Sequence, residues 1–106
     1  RAGGGAPGRC LRYRGLTLDP DAVEVRLDGR VLEQLTAREF ELLRELLSSP
    51  GRVFTREILL AKLWGYDFFG DERVVDSHIK NLRKKLGVDY IETVRGVGYR
   101  VPKEHP

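Results

Sequence analysis

The sequence predicts an α+β fold: antiparallel strands first, then three helices, then a closing β-hairpin. Three observations predict it. Apolar residues recur at helical spacing over residues 36–47 and again over 71–86. An Asp28-Gly29 pair lies between two alternating apolar runs, the pattern of a two-residue hairpin. Near the C-terminus, two further alternating runs flank Arg95-Gly96-Val97-Gly98, a second tight turn. At 106 residues the chain suits one domain with a real core.

The elements follow in order. Residues 1–9 are glycine-rich without apolar periodicity and read as a linker stub. The domain proper is placed at residues 10–102, with 103–106 as a tail. Residues 10–35 supply the N-terminal sheet: Leu11 and Tyr13, Leu16 and Leu18, then Val23, Val25 and Leu27, with 31–35 as the return strand after the Asp-Gly turn. Residues 36–86 supply three helices. Thr36-Ala37-Arg38-Glu39 is a capping box, and Phe40, Leu43, Leu46 and Leu47 form the stripe to be buried. Ser48-Ser49-Pro50-Gly51 stops that helix. Thr55 is placed to cap a second helix through Ile58, Leu59, Leu63 and Trp64. A loop over residues 66–70 follows, and Asp71 is expected to cap the third helix. Residues 90–101 make the last hairpin, with strands at 90–94 and 99–101.

On a helical wheel, Val75, Ile79, Leu82 and Leu86 share one narrow stripe of the third helix. Arg73, Ser77, Lys80 and Lys84 lie opposite, with Asn81 on the flank. One face suits a protein core, and the other carries cations and hydrogen-bonding groups suited to a DNA groove. An ordinary surface helix with a solvated basic face has the same pattern, so the helix alone leaves both readings open.

Charge distribution favours the first. Residues 15–50 hold 4 Lys/Arg against 8 Asp/Glu, whereas residues 73–103 hold 8 against 3. No apolar run approaches the roughly 20 residues that span a bilayer, and no signal-peptide pattern is present. A single cysteine, Cys10, excludes an internal disulfide framework and fits a reducing cytoplasm. No paired carboxylates, metal-ligand cluster or nucleophile–base arrangement is visible, so no enzyme, metal or cofactor is expected. Of the two histidines, His78 lies on the third helix and His105 in the tail. The chain has no methionine and is read as a piece of a longer polypeptide with something upstream.

Two helices, a connector, a third amphipathic helix and a β-hairpin make a winged helix–turn–helix. The runs LTAREFELLRELLSSPGRVFTREILLAKLWG, RVVDSHIKNLRKKL and IETVRGVGYRV, in this order and spacing, resemble the effector domain of OmpR/PhoB-type response regulators. The likeness covers roughly residues 11–101. It implies that the third helix is a recognition helix in the major groove and that the hairpin is a wing whose Arg95 enters the adjacent minor groove. The positions that vary with target sequence in that family are Lys80 and Asn81 here. Asn81 can pair with adenine N6 and N7, worth about 1–3 kcal/mol of discrimination. Relatives often carry arginine there, so the preferred base at that step can differ. Ser77 can touch a base edge or a thymine methyl.

Arg73, Lys80, Arg83 and Lys84 are expected mainly to hold phosphates, with ion pairing or solvation the alternative for Arg83 and Lys85. His78 and Trp64 match family contact positions, but a packed histidine and a core tryptophan are the physical alternatives. Thr93 and Tyr99 match phosphate-bonding positions at the wing base; a half-buried sheet aromatic is the alternative for Tyr99. Tyr66, Phe68 and Phe69 lie in the loop that faces RNA polymerase in the family. The two phenylalanines either fold back onto the core or form a partner patch.

The resemblance further implies a cytoplasmic two-component system that controls transcription. Its elements are an upstream receiver domain phosphorylated by a cognate sensor kinase and dimers on repeated, tandem half-sites. The isolated domain is expected to be monomeric. Two alternatives are a winged-helix regulator with a different sensor and a winged-helix module that binds protein; the basic C-terminal third argues against the latter.

Overall fold

The computed structural model describes residues 10–87 and 89–103. The linker stub at 1–9 and the tail from 104 onward lie outside the described residues. In chain order the elements are β1 (Leu11–Tyr13), β2 (Leu16–Asp19), β3 (Glu24–Leu27), β4 (Arg30–Val31), α1 (Ala37–Leu47), β5 (Phe54–Thr55), α2 (Arg56–Leu63), α3 (Arg73–Leu86), β6 (Glu92–Val94) and β7 (Gly98–Arg100). The first four strands form one antiparallel sheet in sequence order, and a second sheet runs β5-β7-β6.

The N-terminal sheet turns one face inward. Leu18 pairs with Leu11 and Val25, and Leu16 pairs with Tyr13. Of these, Tyr13, Leu16, Leu18 and Val25 are buried against the helices. The Tyr13 hydroxyl donates to the Pro102 carbonyl at 2.6 Å, so the sheet also holds the end of the domain. Asp28 and Gly29 both have positive φ, 52° and 86°, and close the expected hairpin. The return strand is shorter than the expected 31–35. It ends at Val31; the Leu32 amide still donates to the Val25 carbonyl at 2.8 Å, and Lys85 donates to the Gln34 carbonyl at 2.6 Å.

The capping box forms as expected. Thr36 Oγ1 accepts from the Glu39 amide at 3.1 Å, and Glu39 Oε1 accepts from the Thr36 amide at 3.0 Å. Phe40, Leu43, Leu46 and Leu47 are buried, joined by Leu42. Glu39 is only 2% exposed, yet its Oε1 lies 2.5 Å from Lys85 Nζ, which joins the first turn of α1 to the last turn of α3. Thr55 caps α2 by accepting from the Ile58 amide at 3.1 Å.

The start of α3 departs from expectation. The helix begins at Arg73, and Glu72 occupies the cap position with helical backbone and no side-chain cap bond. Asp71 still satisfies one amide, because its Oδ1 accepts from the Arg73 N–H at 2.9 Å. Val75, Ile79, Leu82 and Leu86 are buried, the predicted stripe.

The closing hairpin shifts by a residue or two from the predicted 90–94 and 99–101. Ile91 lies outside β6, its carbonyl taken by Arg83 Nε at 3.1 Å. Gly98 joins β7 by pairing with Val94 on one side and Thr55 on the other. The two tip glycines have different tasks. Gly96 has φ 76° in the turn closed by the Val97 amide on the Val94 carbonyl. A Cβ on Gly98 would stand 2.1 Å from the Phe54 carbonyl oxygen, so that position needs glycine for close backbone approach to β5.

Candidate nucleic-acid interface

α3 presents two chemically distinct sides. Its buried stripe packs into the core, while Arg73, Ser77, Lys80, Asn81 and Lys84 are exposed. Among the described residues Ser77, Lys80, Asn81 and Lys84 make no side-chain hydrogen bond or ion pair within the protein. A cation or amide left unpaired along one helix face is free to meet phosphates and base edges. Arg95 is likewise exposed and unpartnered at the tip of the β6–β7 hairpin.

Other predicted positions are engaged within the domain. Arg73 pairs with Asp71 at 2.7 Å; the guanidinium holds the Asp71 carboxyl below its ordinary range, chiefly by side-chain hydrogen bonding. Both groups are exposed, so a phosphate can take over the guanidinium at little cost. Arg83 Nε donates to the Ile91 carbonyl, and NH2 donates to Thr93 Oγ1 at 2.5 Å. This residue therefore ties α3 to β6, a task other than the ion pairing or solvation considered for it. Thr93 is exposed; its oxygen accepts from Arg83 and its own hydroxyl proton remains to donate.

Lys85 turns inward to Gln34 and Glu39 and is not on the exposed face. Burial alone would raise the Glu39 carboxyl, but the Lys85 hydrogen bond and the Thr36 amide hold it below the usual carboxylate range.

His78 and Trp64 belong to a packed cluster. His78 Nδ1 lies 2.8 Å from the Val74 carbonyl, so this nitrogen carries the proton and Nε2 is the other face. The imidazole and the Trp64 ring pack in a T-shaped arrangement with centroids 5.2 Å apart. The Arg38 guanidinium covers that ring at 4.7 Å and also bonds the Leu63 carbonyl. Trp64 is half-buried, a core aromatic with part of its surface accessible. In the 66–70 loop only one of the two phenylalanines folds back. Phe68 folds back against Trp64 at 6.1 Å, whereas Tyr66 and Phe69 are 91% and 96% exposed.

Tyr99 is 7% exposed, and its hydroxyl donates to Asp76 Oδ1 at 2.5 Å. The same oxygen accepts Arg56 Nε at 2.9 Å. Burial pushes the Asp76 carboxyl up, but the bonds from Tyr99 and Arg56 outweigh it and hold the group below its ordinary range. Tyr99 is raised, by burial first and then by Asp76. Sequence reasoning missed Asp76 and Arg56. The available signal was an acid beside a cation-rich helix face, which implies a neutralising partner elsewhere.

Among the described residues, no group of three or more His, Cys, Asp or Glu is placed to hold a metal ion. No described helix is long and apolar enough to cross a membrane.

A capped helix pair, a third helix with an unpaired polar face and a glycine-tipped hairpin beside it define a winged-helix DNA-binding domain. Residues 30–101 match the family described as transcriptional regulatory protein, C terminal, and the chain belongs to that family of regulators. It is 50% identical over 97 residues to the regulatory protein VanRB of Enterococcus faecalis, a match covering 92% of this chain and 44% of that protein. Thermotoga maritima DrrB, described as an OmpR/PhoB homolog, superposes with a TM-score of 0.80 at 35% identity over 89% of this chain and 44% of DrrB. The DNA-binding domain of Klebsiella pneumoniae RstA, solved in complex with the RstA box, gives 0.79 at 34% identity over 89% of this chain and 97% of that one. The chain spans about two fifths of the length of the curated relatives it matches.

Proposed function

We propose that this chain reads double-stranded DNA sequence as the output domain of a two-component response regulator, with α3 in the major groove and Arg95 in the flanking minor groove. The carrying observation is the exposed, unpaired set Ser77, Lys80, Asn81 and Lys84 on a helix whose opposite side is core. In this reading Asn81 and Ser77 meet bases, while Lys80, Lys84, Arg73 and Thr93 hold phosphates. Arg83 supports the wing as well as adding positive charge, and His78 with Trp64 lines the edge of the interface. An upstream receiver, phosphorylated by a sensor kinase, promotes pairing of two copies on tandem half-sites. Tyr66 and Phe69 offer an aromatic patch to RNA polymerase, with Phe68 bracing the loop.

Selection from random duplexes tests the reading. The expected result is enrichment of one short motif, repeated at a fixed spacing in duplexes that bind two copies. Recovery of a pool with no enriched motif would refute sequence reading by this domain.

A further inference from the structure

An acid on the flank of a DNA-facing helix repels the phosphates its neighbours attract, unless something neutralises it. Asp76 is such an acid, and its Oδ1 is met from two other elements. Arg56, the first residue of α2, supplies Nε at 2.9 Å, and Tyr99 of β7 supplies its hydroxyl at 2.5 Å. The attachment sits on a backbone ladder, since Thr55 beside Arg56 pairs with Gly98 beside Tyr99. A second link lies two turns further along α3, where Arg83 bonds the Ile91 carbonyl and Thr93 of β6. The wing is thus fastened to α3 at points about 10 Å apart along the helix. A phenol has one proton, and while Asp76 accepts it, no phosphate can.

We propose that Asp76 is a positioning residue for DNA recognition. It clasps the wing to α3 and so presents Arg95 and Asn81 to neighbouring grooves at a fixed separation. Tyr99 acts through this clasp rather than as a direct phosphate donor. The proposal rests on the DNA-binding reading above.

The test compares the unaltered chain with Asp76→Ala, Asp76→Asn, Tyr99→Phe and the Asp76→Ala/Tyr99→Phe double variant. The probes are duplexes recovered by random selection, rebuilt with A·T-rich or G·C-rich flanks. Asp76→Ala and Tyr99→Phe should each lose about tenfold in affinity on A·T-rich flanks, the scale of one hydrogen bond to a charged group. Each should also lose most of the preference for those flanks, while discrimination at the base read by Asn81 stays. The double variant should lose no more than either single one. Asp76→Asn keeps an acceptor and the side-chain shape, so it should fall between. Tyr99→Phe removes only a hydroxyl and provides the arm least exposed to misfolding. Tighter binding by Asp76→Ala would show an acid that merely repels DNA. Additive losses, or unchanged flank preference, would overturn the clasp while leaving DNA binding intact. Absence of any sequence preference in the unaltered chain would overturn both readings.

Discussion

Asn81 and Lys84 lie one turn apart on α3, and both are exposed and unpaired, yet the chemistry assigns them different work. An amide can both donate to and accept from a base edge, whereas an ammonium only donates and meets a phosphate as a point charge. Asn81→Ala is therefore expected to lose about 1–3 kcal/mol of discrimination at one base position, with little change on mismatched duplexes. Equal loss on every duplex would show that Asn81 does not read a base. Lys84→Ala should weaken all duplexes alike and reduce the log–log salt slope by about 1. An unchanged slope would exclude a phosphate contact. Such side chains were legible in sequence because a helical wheel places them without knowledge of the rest of the fold. Asp76 was not, because its partners Arg56 and Tyr99 are 20 and 23 residues away along the chain.

The helices show the same division at the scale of elements. Thr36 with Glu39 and Thr55 with the Ile58 amide are local devices, so α1 and α2 begin where their caps predict. The strand ends depend instead on distant groups. The Ile91 carbonyl accepts from Arg83, Gly98 pairs with Thr55, and β4 has no partner beyond the start of β3, where Val23 has φ 52°. The wing that results carries one exposed cation at its tip. Arg95→Ala should cost most where flanks are A·T-rich, because narrow grooves there concentrate negative potential. Titration of matched duplexes differing only in flank composition checks this, and equal losses on G·C-rich flanks would place Arg95 elsewhere.

For the whole molecule, the partly or fully buried groups Glu39, Asp76 and Tyr99 link stability to pH. Glu39 and Asp76 titrate below their ordinary values of 4.5 and 3.8, so the unfolded chain takes up these protons first as pH falls. Their contribution is present above those ordinary values and is lost as pH drops through the native ones. Tyr99 titrates above 10.0, so its contribution is present below that pH and is lost as pH rises through its native value. Thermal unfolding should show a midpoint level through neutrality that declines below about pH 4 and above about pH 10. Glu39→Gln should flatten the acid limb; an acid limb identical to that of the unaltered chain would show that Glu39 does not contribute to it. These linkages join α1 to α3, and α2 and α3 to the wing.

That unity lets α3 and the wing read a duplex together. The most direct test of this joint reading is equilibrium titration of the selected duplex against a shuffled duplex of identical base composition, at one salt concentration near physiological. Binding to the selected duplex is expected to be at least about a thousandfold tighter, the lower end for specific over non-specific recognition. Equal affinity for the two would contradict joint reading and leave only electrostatic attraction between a basic face and any polyanion.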